Sequence, residues 1–293
     1  MTHSCFKPII FCLNNNNCAL MKFKFVLISL LFSFAFQSIA KSLDATAKAQ
    51  TKPKLSIVID DLGDNSVIAR QLLSLSGEFT AAILPHTPHA KPIAEFARAN
   101  GHEVIMHLPM EATTRPDLLG PGALFADMEK QQLLDTFLDS ASSIPNIVGF
   151  NNHMGSLLTV DEERMRWVME SAKQNGWYFL DSKTTVSSVA QDVASDIGLP
   201  TIGRDVFLDH HSLGQKDNLS ELIEQRMTQA MRIAKRRGEV VVICHPYPET
   251  LAFLREQMPL FKEKFRFVRL SKLIKDEETQ STMAHQSQAM DTK

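Results

Sequence analysis

The stretch KLSIVIDDLGDN, residues 54–65, joins a short apolar segment to two adjacent carboxylates. Residues 55–59 are mostly apolar and have the length of a strand that is buried in a sheet. Asp60 and Asp61 follow directly, and two neighbouring negative charges repel each other. A bound cation would remove this repulsion, so the stretch is a candidate metal site as well as a strand.

The composition allows a large hydrophobic core and argues against a nucleic-acid-binding protein. Hydrophobic residues make up 44% of the 293 residues, and 33 acidic side chains nearly balance 31 basic ones. Affinity for nucleic acid rests on clustered Lys and Arg, and the sequence has no basic stripe with interleaved aromatic residues. We therefore predict no nucleic-acid partner.

Residues 21–40 have the three parts of a secretory signal peptide. Two lysines precede a short apolar run, and the segment ends in a small-x-small cleavage site at Ala40. We therefore predict cleavage after Ala40 and no stable membrane span afterwards, with an uncleaved anchor as the alternative. Residues 1–20 do not resemble an export signal, which suggests that translation starts at Met21.

The remaining chain is predicted to be one exported domain between two polar segments. Cleavage after Ala40 leaves Cys244 as the single cysteine, so no internal disulfide is predicted, and this suits a bacterial periplasm. Residues 41–53 are polar and alanine-rich, as in a linker, and residues 275–293 are predicted to be a disordered tail. The domain is then residues 54–274, with no particular oligomeric state predicted.

Short apolar strands alternate with amphipathic helices in this domain. Strands are predicted at residues 55–60, 79–85, 102–109, 147–153, 177–182, 201–210, 239–246 and 265–270. This alternation predicts a parallel sheet covered by helices, and seven or eight such units favour a closed or nearly closed barrel over an open sheet. Both architectures place functional groups at the C-terminal ends of the strands.

Three helices have clear start or stop signals. One is predicted to begin at Asp127 and to stop before Pro145, and another to run from a cap at Asp161 to Gly176. The third ends in basic residues before Gly238, which suits the negative end of a helix dipole.

Polar and ionisable side chains gather at the predicted C-terminal ends of the strands. They are Asp60, Asp61, His107, Glu111, Asn151, Asn152, His153, Asp181, Arg204, Asp205, Asp209 and His245. Each alone has a simpler interpretation: Asp61 or Asp64 could cap a helix that begins near Ser66, and a lone histidine is more often a packed, hydrogen-bonded residue. Together, three histidines and a carboxylate pair at one end favour a functional site, because burying such groups is costly unless they bind a cation or each other. His and Asp ligands favour zinc over magnesium.

Six motifs resemble the divergent polysaccharide deacetylases, which are relatives of the NodB-type carbohydrate esterases. In chain order they are IDDLG, GHEVIMHLPME, NNHMGS, FLDSKT, RDVFLD and HPYPET. The resemblance covers nearly the whole predicted domain. It implies an α/β fold, a distorted (β/α) barrel of about seven strands, that binds a divalent metal, most often zinc.

The resemblance also implies roles for individual residues. Asp60 matches the general base, and Asp61 matches a metal ligand. His107 matches the first histidine of the family's His-x-x-x-His motif, and Glu111 stands where the second histidine is expected. His153 is then the candidate for the missing imidazole ligand, with Glu111 as the alternative.

The later motifs supply the remaining candidates. His245 matches the histidine that acts as general acid in this family. The family's Arg-Pro-rich third motif is absent from its usual place, and Arg204 could take over its charge role. Asp181 and Asp205 are expected to orient the reacting groups, and Asn152 is expected to lie beside the metal ligands or the substrate.

The leading hypothesis is a metal-dependent hydrolase that removes N-acetyl or O-acyl groups from an envelope or extracellular polysaccharide, such as a peptidoglycan-like glycan. The alternative is a catalytically weak or inactive periplasmic glycan- or envelope-binding protein that keeps the barrel. The replacement at Glu111 and the missing third motif leave this alternative open. A third hypothesis is a glycosidase with two carboxylates, which would not need the histidines.

Overall fold

The computed structural model describes residues 52–210, 218–276 and 279. The predicted start region at 1–20, the signal peptide at 21–40, and most of the predicted linker and tail lie outside the described residues. Within the described part of the chain, no helix is long and apolar enough to cross a membrane.

The described residues alternate strands and helices along most of their length. The strands are β1 (Lys54–Leu62), β2 (Phe79–Ile83), β3 (Glu103–Met110), β4 (Gly149–Met154), β5 (Tyr178–Asp181), β6 (Thr201–Gly203), β7 (Val206–Phe207), β8 (Glu239–Cys244) and β9 (Arg266–Phe267). The α-helices are α1 (Ser66–Leu73), α2 (Ala90–Ala99), α3 (Lys130–Ser142), α4 (Glu162–Gln174), α5 (Ala190–Asp196), α6 (Leu219–Arg237) and α7 (Pro248–Lys264). A last helical segment begins at residue 270 and continues through residue 276, past the predicted domain end.

The strands form one parallel sheet in the order β6-β5-β4-β3-β2-β1-β8-β7, and β9 pairs with the start of β1. The two ends of this order, β6 and β7, are separated in the chain only by Arg204 and Asp205. The sheet therefore curls until its two edges are joined by the chain itself. This confirms the predicted α/β fold, a distorted barrel of parallel strands covered by helices.

The predicted single strand at 201–210 is wrong, because the chain changes neighbours in its middle. Arg204 N donates to Asp181 O beside β5, whereas Asp205 N donates to Val241 O in β8. The first part of the segment pairs only with β5 and the second part only with β8, so it divides into β6 and β7. Arg204 and Asp205 thus form the seam of the barrel.

Asn65, rather than Asp61 or Asp64, caps α1. The Asn65 side-chain oxygen accepts hydrogen bonds from Val67 N at 3.1 Å and Ile68 N at 3.3 Å. These are two of the backbone donors that a helix leaves free in its first turn. The simple capping interpretation of the two earlier aspartates is therefore incorrect, and both need another explanation.

The boundaries of α4 and α6 agree with the sequence signals. Asp161 accepts from Arg164 N at 3.0 Å, and α4 ends just before Gly176. Asn218 caps α6 by accepting from Ser220 N, and Gly238 ends this helix with a left-handed φ of 86°.

The start of α3 differs from the prediction. The helix begins at Lys130, not at Asp127. Met128 N donates to Phe125 O in a preceding turn, and Glu129 has extended backbone angles, so the chain becomes helical only after this turn.

Two apolar clusters lie on the two faces of the sheet. Ile57 and Ile59 point outward and pack with buried residues of the helices, whereas Val58 points into the barrel. The inner cluster contains no residue of α1–α7 and consists of Val58, Ala82, Ile105, Tyr178, Leu180, Ile202, Val241, Ile243, Val268, Leu270, Leu273 and Ile274. The segment 268–274 therefore closes the inside of the barrel at one end.

A buried polar network holds this segment against the N-terminal ends of the strands. Glu103 Oε1 accepts hydrogen bonds from Tyr178 Oη at 2.7 Å, Thr80 Oγ1 at 3.2 Å and Ser271 N at 3.2 Å. The carboxylate thus has partners on two strands and on the closing segment. The opposite, C-terminal end of the barrel remains for the functional side chains.

Cys244 ends β8 as a free, fully buried thiol. Its side chain belongs to the outer cluster, between the sheet and the helices. Burial raises the pKa of the thiol well above its ordinary value, and the charges of Asp209 and Asp60 act in the same direction. The thiol is therefore both inaccessible and protonated at neutral pH.

Candidate metal centre and active site

The inner face of the barrel changes from apolar to polar at the C-terminal ends of its strands. Alternate residues of a strand point to the same side, so the residue two positions after an inner apolar side chain also points inward. The pairs are Val58 and Asp60 on β1, Ile105 and His107 on β3, and Ile243 and His245 at the end of β8. The strand pattern thus carries these polar side chains to one place.

Asp61 also reaches this place, although it directly follows Asp60. Its φ of 54° is left-handed, and the pairing of β1 with β2 shifts register at this point. Such a bulge re-aims a side chain that alternation alone would point to the other face. Gly63 continues the turn at φ 138°, where an added Cβ would lie 2.0 Å from Thr87 Oγ1. The glycine of the IDDLG motif is therefore required by the turn that brings Asp61 inward.

Asp61, His107 and His153 bring three donor atoms together. Asp61 Oδ1 lies 3.1 Å from His107 Nε2 and 3.0 Å from His153 Nδ1. The two ring nitrogens are 3.1 Å apart. Within the described part of the chain, this is the cluster of acidic, histidine or cysteine side chains whose donor atoms converge closely enough to hold one metal ion.

Glu111 is not part of this cluster. Its carboxylate accepts a hydrogen bond from Ala126 N at 2.7 Å, and its backbone carbonyl accepts from Leu157 N and Leu158 N. Glu111 therefore holds loops beside the barrel, and the alternative ligand position at Glu111 is not supported. The second imidazole beside Asp61 and His107 is that of His153, on the neighbouring strand β4.

A backbone carbonyl orients the His153 ring. His153 Nε2 lies 3.3 Å from Leu118 O. A carbonyl oxygen can only accept, so Nε2 carries the hydrogen and Nδ1 presents its lone pair to Asp61 and His107. Such an outer hydrogen bond is the usual way in which a ligating histidine is fixed.

The three residues fit a zinc ion by their chemistry and their burial. Two imidazoles and one carboxylate are zinc ligands, and three protein ligands are the usual number where a fourth position takes water or substrate. Asp61 Oδ1 is buried and, among the described residues, has no hydrogen-bond partner of acceptable geometry. A buried charged oxygen is costly without a partner, and a cation at this cluster would provide one.

The two neighbouring carboxyl groups have opposite pKa shifts. Burial raises the pKa of Asp60, although the charges of His107 and His245 act against it. Burial would also raise the pKa of Asp61, but the contacts with His107 and His153 outweigh it and hold the pKa well below its ordinary value. Asp61 is therefore the firmly ionised member of the pair, and Asp60 takes up a proton more readily.

His245 approaches the cluster from β8 and is held by Asp209. His245 Nδ1 donates to Asp209 Oδ1 at 2.7 Å, and His245 N donates to Asp209 Oδ2 at 2.7 Å. Thr250 Oγ1 donates to the same carboxylate at 2.6 Å. The ring also stacks between Phe207 and Tyr247, with centroids 5.8 and 5.6 Å away. These contacts fix the ring and assign its proton on Nδ1.

The electrostatic surroundings keep His245 protonated. Burial alone would lower its pKa, but the hydrogen bond and charge of Asp209 outweigh it, and Asp61 and Asp60 add to them. The pKa is raised to about 9. The imidazole is therefore charged at neutral pH, which is the form that a general acid requires.

The comparison with known families matches this fold and these motifs. The family model described as divergent polysaccharide deacetylase matches residues 57–274. This chain belongs to the divergent polysaccharide deacetylase family. The match covers β1 through the segment that closes the barrel, so it includes every strand that contributes to the site.

Relatives of this deacetylase family member are found in bacteria. The uncharacterized protein YibQ of Escherichia coli (strain K12) is 33% identical over 76% of this chain and 68% of its own length. An uncharacterized protein of Haemophilus influenzae is 28% identical over 79% of this chain and 80% of its own length. The crystal structure of uncharacterized protein ATU2773 from Agrobacterium tumefaciens C58 superimposes with a TM-score of 0.69 at 23% identity, covering 76% of this chain and 89% of that one. The superposition on ATU2773 shows that the two proteins share a fold.

Arg204 lies at the seam of the barrel, near the charge of Asp60. It donates to Ser182 O at 2.7 Å and to Lys183 O at 3.0 Å, and its guanidinium lies 3.9 Å from the centre of the Phe207 ring. Burial lowers its pKa, whereas the charges of Asp181 and Asp60 oppose this. The position is compatible with the charge role that the deacetylase resemblance implies for an arginine.

Asp181 and Asp205 make their hydrogen bonds and ion pairs outside the cluster of Asp61, His107 and His153. Asp181 accepts from Lys183 N and Ser188 Oγ, both at 2.8 Å, and so shapes the turn after β5. Asp205 accepts from Val241 N at 2.9 Å and pairs with Arg237. These contacts do not link either carboxylate to the three clustered side chains, so the orienting role expected from the sequence has no support from the hydrogen bonds.

Asp209 takes the orienting role instead. The sequence placed Asp209 at this end of the barrel but gave it no function. It follows the seam, where the predicted strand divides, so its partner His245 could not be assigned from local pattern. The only local signal was its place two residues after Phe207, at the end of β7.

The sequence analysis expected Asn152 to lie beside the metal ligands, but in the structure Asn151 contacts the site residues. Asn152 Oδ1 accepts from Ser182 N at 2.9 Å, and Asn152 Nδ2 donates to Met154 O at 2.8 Å, so it joins the ends of β4 and β5. Asn151 points inward with His153 and contacts both Asp60 and His107. Asn151 is two residues before His153 on β4, and this spacing, which places both side chains on the same face, was the signal in the sequence.

Proposed function

We propose that the protein is a metal-dependent hydrolase that removes N-acetyl or O-acyl groups from an envelope polysaccharide. The observation that carries the proposal is the convergence of Asp61, His107 and His153, with Asp60 Oδ2 3.7 Å from His107 Nε2 and a protonated His245 at the end of β8. Membership of the deacetylase family supports the reaction class.

Zinc is the proposed ion, held by Asp61 Oδ1, His107 Nε2 and His153 Nδ1. When bound there, it would supply Lewis-acid chemistry, polarising the acyl carbonyl and lowering the pKa of a water molecule. The rest of the reaction depends on side chains of the protein.

Asp60 and His245 are the proposed base and acid. Asp60 takes a proton from the attacking water while the water oxygen forms a bond to the acyl carbon. His245 gives its Nε2 proton to the amide nitrogen as the carbon–nitrogen bond breaks, which releases a free amine and a carboxylic acid. Asp209 accepts from Nδ1–H throughout and stabilises the charged ring before the transfer.

A cleft of about 200 Å³ adjoins the cluster and could receive part of the glycan. Its walls include Pro109, two residues after His107, and Leu118, whose carbonyl contacts His153. Asp64 and His86 add polar groups to the same cleft. A mixture of apolar walls and polar edges suits a sugar ring with an acyl substituent.

The experiment measures zinc content and acetate release from an N-acetylated glycan, with the purified chain from residue 41 as the enzyme. We expect zinc-dependent acetate release that a chelator abolishes. His107→Ala should lose stoichiometric zinc and turnover, because it removes a neutral nitrogen ligand from a three-residue site. Glu111→Gln is the matched control and should keep zinc, since Glu111 lies outside the cluster.

Two outcomes would contradict the proposal. Full zinc content in His107→Ala would mean that the metal binds at another site. A zinc-loaded wild type without hydrolysis of amide or ester substrates, but with measurable glycan binding, would favour the alternative of an inactive binding protein.

Export to the periplasm is proposed with this function. It rests on the three-part segment at residues 21–40 and on the envelope substrate. N-terminal sequencing of the protein from the periplasmic fraction should begin at Lys41, and a chain that retains residues 1–20 would contradict it.

A further inference from the structure

Asn151 is a fully buried amide at the centre of the candidate site. It is not a metal ligand candidate, and it does not belong to either apolar cluster. We infer that Asn151 is a positioning residue: one end of its amide fixes His107 as a ligand, and the other end fixes Asp60 as the base. This inference rests on the proposed function and deepens it.

Three hydrogen bonds define the position of the amide. Asn151 Nδ2 donates to Asp60 Oδ1 at 2.9 Å and to Ser182 Oγ at 3.1 Å. Asn151 Oδ1 lies 2.8 Å from His107 Nδ1. The residue therefore links β1, β3 and the end of β5 from its own strand, β4.

The chemistry of these partners determines where the protons lie. Asn151 Nδ2 donates to both Asp60 Oδ1 and Ser182 Oγ, so the amide nitrogen faces Asp60. The amide oxygen then faces His107, and because it can only accept, His107 Nδ1 must carry a hydrogen. His107 Nε2 is left to face Asp61 and His153. The orientation of the Asn151 amide thus selects the tautomer of His107 that a metal requires.

No other ordinary side chain of this size can serve both partners. Leucine would leave His107 Nδ1–H and Asp60 Oδ1 without a partner in a buried site, which is costly. Aspartate would still accept from His107 but would present an acceptor to Asp60, and two buried carboxylates would repel each other. The amide supplies one acceptor and one donor in the required directions.

The test separates the two ends of the amide by comparing Asn151→Leu with Asn151→Asp. The first measurement is the affinity for Zn²⁺ alone, from competition with a chromophoric chelator. Asn151→Leu should bind Zn²⁺ about 10- to 100-fold more weakly, the usual effect of removing an outer hydrogen bond to a ligating histidine. Asn151→Asp should bind Zn²⁺ at least as tightly as wild type, because its carboxylate keeps the His107 bond.

The second measurement is turnover of the zinc-saturated variants. In Asn151→Asp, kcat should fall by at least about 10-fold, a part of the 10²- to 10⁴-fold that a positioned base contributes. KM should change little, because the amide has no contact with the cleft. A merely structural role would not separate metal affinity from kcat in this way.

A third measurement does not depend on activity. Nitrogen-15 NMR of the ring nitrogens should show a protonated Nδ1 at His107 in wild type and in Asn151→Asp. Tyr178→Phe is the stability control, because it removes a buried hydrogen bond at the other end of the barrel. It should lower the melting temperature but leave Zn²⁺ affinity unchanged. If Asn151→Leu does not fold, Asn151→Ser replaces it, because its short side chain cannot reach both partners.

The results that overturn the inference differ from those that overturn the proposed function. Wild-type Zn²⁺ affinity in Asn151→Leu, or equal loss of affinity in both variants, would refute the positioning role. If zinc-loaded wild type releases no acetate, the proposed function fails. The Zn²⁺ affinities and the His107 resonances still decide whether Asn151 positions the ligand.

Discussion

Asp60 and Asp61 are adjacent in the chain but do different things. Asp61 turns inward through a left-handed backbone, contacts two imidazoles and has a lowered pKa. Asp60 points inward by strand alternation, lies 3.7 Å from His107 Nε2 and has a raised pKa. The strand therefore ends in one carboxylate suited to a cation and one suited to accept a proton.

Substituting each aspartate by asparagine should separate these roles. Asp60→Asn keeps the shape and leaves the three donor atoms in place, so it should retain zinc and lose about 10²- to 10⁴-fold in turnover. Asp61→Asn removes the anionic ligand, so it should bind zinc weakly, and excess zinc should partly restore activity. Metal analysis and acetate release on both variants check this.

Thermal melts of the same variants provide the control. If both aspartates were only turn or cap residues, each change would cost about 1 kcal/mol of stability and spare zinc and turnover. Equal loss of zinc in both variants would mean that the two carboxylates share the ion, and another base would have to be found.

The charge of Asp209 should set the alkaline limit of activity. His245 must be protonated to act as the acid, so activity should fall as pH rises through its pKa, which is about 9. Asp209→Asn removes the charge that stabilises the protonated ring, while burial continues to favour the neutral form. The pKa should fall, and the alkaline limb of kcat/KM should move to lower pH.

Thr250→Val is the matched control for this change. It removes a donor to the same carboxylate at 2.6 Å but keeps the negative charge. Its alkaline limb should stay near that of wild type. An unchanged limb in Asp209→Asn would show that His245 does not determine the pH dependence.

At the scale of strands and helices, Asn65 should matter more than its acidic neighbours for the stability of α1. Asn65→Ala removes the acceptor for two backbone donors and should cost about 1 kcal/mol in the free energy of unfolding. Asp64→Ala removes no capping bond of α1 and should have a smaller effect. Urea unfolding of both variants gives the comparison, and an equal cost would contradict the assignment of Asn65 as the cap.

Strand alternation explains which parts of the site were predictable. Asp60, His107 and His245 continue the inner row of their strands, so their meeting follows from the parallel barrel. Asp61 does not follow this rule, since its inward position depends on a positive φ that the sequence pattern does not reveal. The family resemblance, rather than alternation, was the basis for predicting that Asp61 is a ligand.

Pairing between segments that are distant in the sequence explains which features of the fold and the site could not be predicted. The change of neighbours between Arg204 and Asp205 depends on where β5 and β8 lie in space. The partner of His245 is 36 residues away and follows β7, which pairs with β8 only because the chain changes neighbours at this seam. Asp181 and Asp205 were as plausible as Asp209 by sequence position, and only the contacts distinguish them.

On the scale of the whole molecule, the two ends of the barrel have separate functions. The C-terminal end carries the buried ionisable groups, and the N-terminal end is sealed by segment 268–274 and by Glu103 with its three partners. Stabilisation of the fold by the sealed end allows the other end to hold polar groups that are costly to bury.

Removing the closing segment should therefore unfold the protein. Burial of Val268, Leu270, Leu273 and Ile274 contributes about 6–12 kcal/mol at 1.5–3 kcal/mol for each side chain, similar to the whole stability of a typical domain. A chain that ends at residue 267 should show no cooperative melt. A chain that ends at residue 279 is the control and should melt like wild type, and a stable fold without the segment would refute its sealing role.

The buried thiol of Cys244 makes the local opening of β8 measurable. It is wholly inaccessible in the folded barrel, and it directly precedes His245. A thiol reagent can therefore label it only when this strand separates from its neighbours, either locally or by global unfolding. In a chain that begins at residue 41, and so lacks Cys5, Cys12 and Cys18, the labelling rate would report the free energy of that opening. Slower labelling after zinc addition would show that an ion at Asp61 stabilises the strand that holds the acid.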